Sequence, residues 1–161
     1  MSSRTLMAGA IIVVAGFAAA CSGAATAPPA PSALAASPAA SAGGPAAGGP
    51  AVMTATVGSQ GTLIVAGANG MTVYTFTKDV ANSGTSACTG GCLTKWPALT
   101  VPAGSTPAGA SGVTGKLGTI TRADDGSAQV TYNGLPLYFY AGDKAPGDSN
   151  GIYTNWVAVK P

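Results

Sequence analysis

The 161-residue chain contains no histidine and no glutamate, and only 7% of its residues are charged. The first absence removes the commonest general base and metal-binding imidazole, and the second removes the bidentate ligand of EF-hand calcium loops. Five aspartates are the whole acidic inventory. Any Ser or Thr nucleophile would have only Asp, Lys or Tyr as its base, so a non-catalytic protein is expected. Lys and Arg are scattered singly at a formal net charge of +2, which offers nucleic acid no basic face. Cysteine is scarce as well: Cys21, Cys88 and Cys92 are the three present. Without His, a four-ligand zinc site would need two Asp, and bound copper or haem has no ligand cluster, so no metal and no cofactor are expected.

What is present begins with an address. Arg4 stands in a short polar head, Leu6 to Ala20 form an apolar run, and Cys21 follows Ala18-Ala19-Ala20 directly. This pattern predicts a secretory signal peptide over residues 1–20. The fifteen-residue run is shorter than the roughly 20 residues a spanning helix needs. The small residues resemble a lipobox, with Ala18 where Leu is more usual. Cleavage before Cys21 would leave its thiol carrying a diacylglycerol, and further acyl chains such as palmitate would complete a stable membrane anchor. Plain secretion is the alternative, since the same alanines satisfy an ordinary signal peptidase. If Cys88 and Cys92 pair, plain secretion leaves Cys21 as a lone thiol in an oxidising compartment, and lipidation consumes it. The expected location is the cell membrane or outer envelope, facing outside the cytoplasm.

From Cys21 to Ala51 the sequence is almost wholly Ala, Pro, Ser and Gly, without charge or aromatic. Such a segment cannot build a core and reads as a spacer. Residues 52–161 are expected to hold one small all-β domain, an antiparallel sandwich or barrel. Short β-rich runs are broken by Gly, Asn and Asp, and no helical periodicity is as long as a typical helix. Expected strands are Thr62 to Ala66, Met71 to Phe76, Thr119 to Ala123, Ala128 to Tyr132, Leu135 to Tyr140 and Ile152 to Val159. Asn133-Gly134 predicts a type I′ hairpin, and Asp124-Asp125-Gly126 predicts a turn one hairpin earlier.

The domain repeats itself. NGMTVYTFTKD, Asn69 to Asp79, aligns with NGLPLYFYAGD, Asn133 to Asp143, at an offset of 64, and Trp96 and Trp156 follow the two copies. The units are read as about 62–99 and 119–159. Met71 and Val73 correspond to Leu135 and Leu137 on one strand face, with Tyr74, Phe76, Tyr138 and Tyr140 on the other, so both faces are expected to bury apolar surface. With two Y-x4-D motifs, Tyr74 to Asp79 and Tyr138 to Asp143, with CTGGC before KWP and with GDSNGIYTNW near the end, the domain resembles the bacterial tandem-repeat lipoproteins described as a secreted repeat of unknown function. The resemblance implies an extracytoplasmic lipoprotein with paired repeats and brings no established activity, substrate or cofactor.

Four constellations remain. Cys88 and Cys92 flank Thr-Gly-Gly, a spacing that suits a structural disulfide in an exported protein; a redox role is disfavoured because the spacing is not C-x-x-C and no helix start is evident. Asp143, Asp148 and Asn150 gather oxygens that could hold calcium, though Asp and Asn in Pro-Gly loops usually bond their own backbone. The aromatics could line a surface for an envelope protein, glycan or small molecule, although most belong in a core. Within each Y-x4-D motif, Asp79 and Asp143 are expected to cap the turn after the strand, with Tyr74 and Tyr138 packed and their hydroxyls at a polar edge. The leading expectation is a membrane-anchored binding or structural module of the cell envelope. The alternative is an extracytoplasmic redox or electron-transfer accessory.

Overall fold

The computed structural model describes residues 48–161. The expected signal peptide, Cys21 and nearly all of the spacer lie outside the described residues. Among those described, no helix is long and apolar enough to cross a membrane. The domain is mostly β, built from small antiparallel sheets in two repeated units, with no closed barrel.

Each unit opens with a hairpin. In the first, β1 (Val52–Thr56) pairs with β2 (Thr62–Ala66); in the second, β5 (Leu117–Thr121) pairs with β6 (Ala128–Tyr132). β1 is a strand that the sequence does not announce, because VMTAT follows directly on a Pro- and Gly-rich spacer. Asn133 and Gly134 both take positive φ, 51° and 81°, and turn β6 into β7 (Leu135–Pro136) with Tyr132 opposite Leu135, the expected type I′ link. Gly126 at φ 71° turns β5 into β6, and Asp125 accepts the Ser127 N–H there.

After each hairpin a central strand crosses the middle of the domain. The first is β3 (Tyr74–Phe76), and the second runs on from β7 through Tyr138. The two meet antiparallel at one point, where Tyr74 N–H donates to Tyr138 O at 2.8 Å and Tyr138 N–H donates to Tyr74 O at 2.9 Å. This crossing shortens the long strands expected over Met71 to Phe76 and Leu135 to Tyr140, since each chain pairs with several neighbours in turn. The last segments are β4 (Thr100–Val101) and β8 (Trp156–Ala158), the latter shorter than the expected Ile152 to Val159.

Those last segments are exchanged between the units. β4, from the first, pairs with β6 of the second; β8, from the second, pairs with β3 of the first. Leu99 N–H donates to Leu137 O at 2.9 Å while Val130 N–H donates to Leu99 O at 2.8 Å, so Leu99 is wedged between hairpin and central strand of the second unit. Val159 holds the mirrored place, donating to Val73 O at 3.2 Å and accepting from Ile64 N–H at 2.8 Å. The contacts are reciprocal, as in an isologous dimer fused into one chain.

Two cores lie on opposite sides of the crossing. Val73, Leu137, Ile64, Val130, Leu99 and Val52 fill an aliphatic one, and Tyr74, Tyr138, Trp96, Trp156, Cys88 and Leu63 fill an aromatic one. The alternation read from the sequence places Val73 and Leu137 on one face and the tyrosines on the other, as strand geometry requires. Each fully buried aliphatic contributes about 1.5–3 kcal/mol of transfer free energy.

Candidate functional site

The two Y-x4-D motifs converge at the centre of the aromatic core, and they do so crosswise. Tyr74 donates its hydroxyl to Asp143 Oδ2 at 2.7 Å, and Tyr138 donates to Asp79 Oδ2 at 2.7 Å. Each phenol is therefore bonded to the carboxylate of the other unit, 69 and 59 residues away in sequence. The second oxygen of each aspartate caps a loop: Asp79 Oδ1 accepts Ala87 N–H at 2.7 Å, and Asp143 Oδ1 accepts Asn150 N–H at 2.9 Å. Both tyrosines are wholly buried and both aspartates nearly so. Burial pushes the Tyr74 phenol well above its ordinary range, and the Asp143 bond adds to it. Burial also raises the Tyr138 phenol, opposed by the Ser86 hydroxyl bond and assisted by Asp79.

Close approach at Tyr74 depends on Gly151, whose N–H reaches the phenol oxygen at 3.2 Å. A Cβ there would lie 2.7 Å from Tyr74 Cζ and 2.8 Å from Tyr140 Cβ. At Tyr138 the neighbour is Ser86, whose hydroxyl shares a 2.7 Å bond with the phenol. Ser86 also accepts from Arg122, a residue the sequence reading passed over. Arg122 is 3% exposed. Its guanidinium holds Asp124 in a fork at 2.8 and 2.9 Å and reaches Gln129 Oε1 at 2.5 Å and Cys88 O at 2.7 Å. It thus ties the second hairpin to the cysteine loop of the first unit. Burial works against its charge, but the Asp124 pair prevails and holds the guanidinium above its ordinary value, while Asp124 is held low by the same pair. The signal was available: Arg122 is the single arginine beyond residue 4 in a chain with little charge.

Cys88 and Cys92 form a disulfide with a Cα separation of 5.4 Å. Contrary to expectation, a helix does begin at this pair: Cys92–Lys95 forms one turn, α1, because Thr-Gly-Gly closes tightly enough for Cys92 and Leu93 N–H to bond Thr89 O and Gly90 O. Behind it Trp96 stacks on Trp156 at 3.7 Å and 4°.

The two carboxylates considered for calcium are engaged within the protein, and Asn150 takes part through its backbone N–H, which donates to Asp143 Oδ1. Asp148 Oδ2 accepts Lys144 and Ala145 N–H, which hold its carboxyl low, and Asp143 is occupied as described. Among the described residues no three His, Cys, Asp or Glu side chains gather as a metal site.

Two clefts occupy matching places in the two units. One, of about 550 Å³, is lined by Asn69, Met71, Pro97, Phe139, Tyr140 and Lys144 among others. Its mate, of about 310 Å³, includes Asn133, Leu135, Val157 and Thr75. At the repeat offset Phe139 replaces Thr75, Tyr140 replaces Phe76 and Lys144 replaces Val80; the smaller cleft has Tyr132 and Lys160 in its lining, and the larger has Phe139, Tyr140 and Lys144.

A family model described as a secreted repeat of unknown function matches the chain twice, over residues 54–100 and 118–160. Each match spans one hairpin, one central strand and one exchanged tail, leaving out the connector between them. No curated protein and no solved structure matches the chain.

Proposed function

The chain belongs to the family of secreted repeats of unknown function, and from that membership, which suggests an extracytoplasmic location, we propose that it is a lipid-anchored, non-catalytic binding module of the cell envelope. Cys21 carries the anchor, the Ala/Pro-rich spacer holds the domain off the membrane, and the ligand sits in the larger cleft. One observation supports this most: the larger cleft, of about 550 Å³, combines Phe139, Tyr140 and Lys144, a lining that suits an apolar ligand with a polar or anionic edge. The non-catalytic reading is supported by the two buried aspartates, whose oxygens are taken up by phenol and loop N–H bonds.

The test places the first unit's residues at two of these positions. The Tyr140→Phe/Lys144→Val variant keeps the ring that packs on Trp96 and removes the cleft's phenol hydroxyl and ammonium, both at exposed bonds. It should melt like wild type yet lose retention on isolated envelope fractions and lose any thermal shift found with envelope glycans or small ligands. Equal retention by variant and wild type, or none by wild type, would sink the binding reading. The anchor is tested separately: Cys21→Ala should release the protein from the membrane fraction, and tight membrane association of that variant would refute lipidation.

A further inference from the structure

The aromatic core is a continuous path of oxidisable rings. Tyr153, 47% exposed, meets Tyr140 with hydroxyls 2.8 Å apart and ring centroids 5.6 Å apart. Tyr140 lies 4.7 Å from Trp96, and Trp96 lies 3.7 Å from Trp156. From this stack Tyr74 stands 5.6 Å from Trp96, and Tyr138 stands 5.1 Å from Trp156. No methionine belongs to this core, and Cys88 within it is already disulfide-bonded.

Packing accounts for rings that touch. It does not account for the carboxylate placed at each buried phenol. An amide could also accept the loop N–H that Asp79 or Asp143 accepts, without the cost of burying a charge. Neither carboxylate has a Lys or Arg partner, since the ion pair present among the described residues joins Arg122 to Asp124. A carboxylate is required if the phenol must give up its proton. A phenol that loses an electron becomes a strong acid, and in a dry core the electron can leave only where a fixed base takes that proton.

We propose that the domain is a one-electron relay. An outer-sphere one-electron oxidant takes an electron at the Tyr153–Tyr140 surface, and the vacancy passes over Trp96 and Trp156 to Tyr74 or Tyr138. At Tyr74 the O–H bond breaks and its proton forms an O–H bond with Asp143 Oδ2; at Tyr138 the acceptor is Asp79 Oδ2. The products are a neutral tyrosyl radical, a protonated carboxyl group and an oxidant reduced by one electron. An electron from a one-electron reductant returns by the same path, and the proton goes back to the phenol. The two Tyr–Asp pairs flank the Trp stack as equivalent resting places. The relay uses no bound cofactor, and it goes beyond the cleft-binding reading, which can fail or stand without it.

The test is flash oxidation of the full-length protein with a photogenerated ruthenium(III) tris-bipyridine complex, followed by transient absorption and by electron paramagnetic resonance of frozen samples. Wild type should form a long-lived neutral tyrosyl radical, and its formation should slow in heavy water. Asp79→Asn/Asp143→Asn keeps the rings and should lose that signal. Trp96→Phe keeps both Tyr–Asp bonds and should also lose it, which preserves the test if the double Asn variant does not fold. Wild type giving only short-lived radicals would overturn the proposal. So would an undiminished long-lived signal in the Trp96→Phe variant or in a folded double Asn variant.

Discussion

A buried carboxylate with no cation beside it depends on the hydrogen bonds it accepts, and Asp79 and Asp143 each accept one from a phenol and one from a loop N–H. Because the phenol comes from the other unit, a double-mutant cycle has a definite pattern. Tyr74→Phe with Asp143→Ala, and Tyr138→Phe with Asp79→Ala, should show coupling of about 1 kcal/mol or more in urea unfolding. The within-motif pairs Tyr74 with Asp79 and Tyr138 with Asp143 should add almost independently; the reverse pattern would contradict the crosswise bonds. The raised phenols also set the alkaline limit. In the unfolded chain they ionise near 10, whereas in the folded protein they hold their protons to higher pH. Their stabilisation is therefore complete below that value and lost as pH rises above it. Urea midpoints should fall from about pH 10 upward, and less steeply in Tyr74→Phe/Tyr138→Phe, than the phenols of wild type dictate. Arg122→Met should cost about 2–4 kcal/mol by stranding Gln129 and Cys88 O, with the unfolding midpoint as its measure.

Among the elements, the cysteine loop is the smallest and the easiest to price. Closing so short a ring in the unfolded chain stabilises by about 2 kcal/mol, so Cys88→Ala/Cys92→Ala should lower unfolding free energy by about that amount and leave the rest of the fold in place. A much larger loss would mean that the loop also organises Arg122 and Ser86. The Asn133-Gly134 hairpin and the apolar alternation around Val73 and Leu137 were legible, because turn chemistry and a period of two act over a few residues. The aspartates, expected to cap the turn after each strand, instead accept N–H groups eight and seven residues on, and the phenols, expected at a polar edge, are buried against them. β1 was not legible, since its five residues carry only Val52 and Met53 as apolar bulk beside a spacer of similar composition. The crosswise partners were not either. Tyr and Asp five apart read naturally as one local motif, and nothing within eleven residues reveals which distant copy a side chain will face. Arg122 stood out as the one arginine of the domain, but its partners Ser86 and Cys88 were hidden for the same reason, lying 36 and 34 residues back.

At the scale of the molecule the exchange of tails decides how the chain can fold. An isolated first unit would lack Val159 between Ile64 and Val73 and would leave those ladder groups open; an isolated second would lack Leu99 between Val130 and Leu137. It would also strand one phenol and one carboxylate without their partner. The deficits fall on buried strands, where unpaired backbone groups are costly, so neither unit should hold structure alone. The connector is a different matter: Ala103, Gly104 and Ser105 are exposed and belong to no strand, so a cut there should break little that the exchange depends on. A protease site inserted after Gly104 should therefore give a nicked protein that stays associated and unfolds in one transition, with tryptophan fluorescence and far-ultraviolet dichroism coinciding. Separated in denaturant, each half should be unfolded by dichroism after dilution, and mixing should restore the native spectrum and the stacked-tryptophan environment at a rate that depends on concentration. Two independently folded halves, or two separate transitions in the intact chain, would show that the units are ordinary neighbouring repeats and that the exchanged tails contribute little.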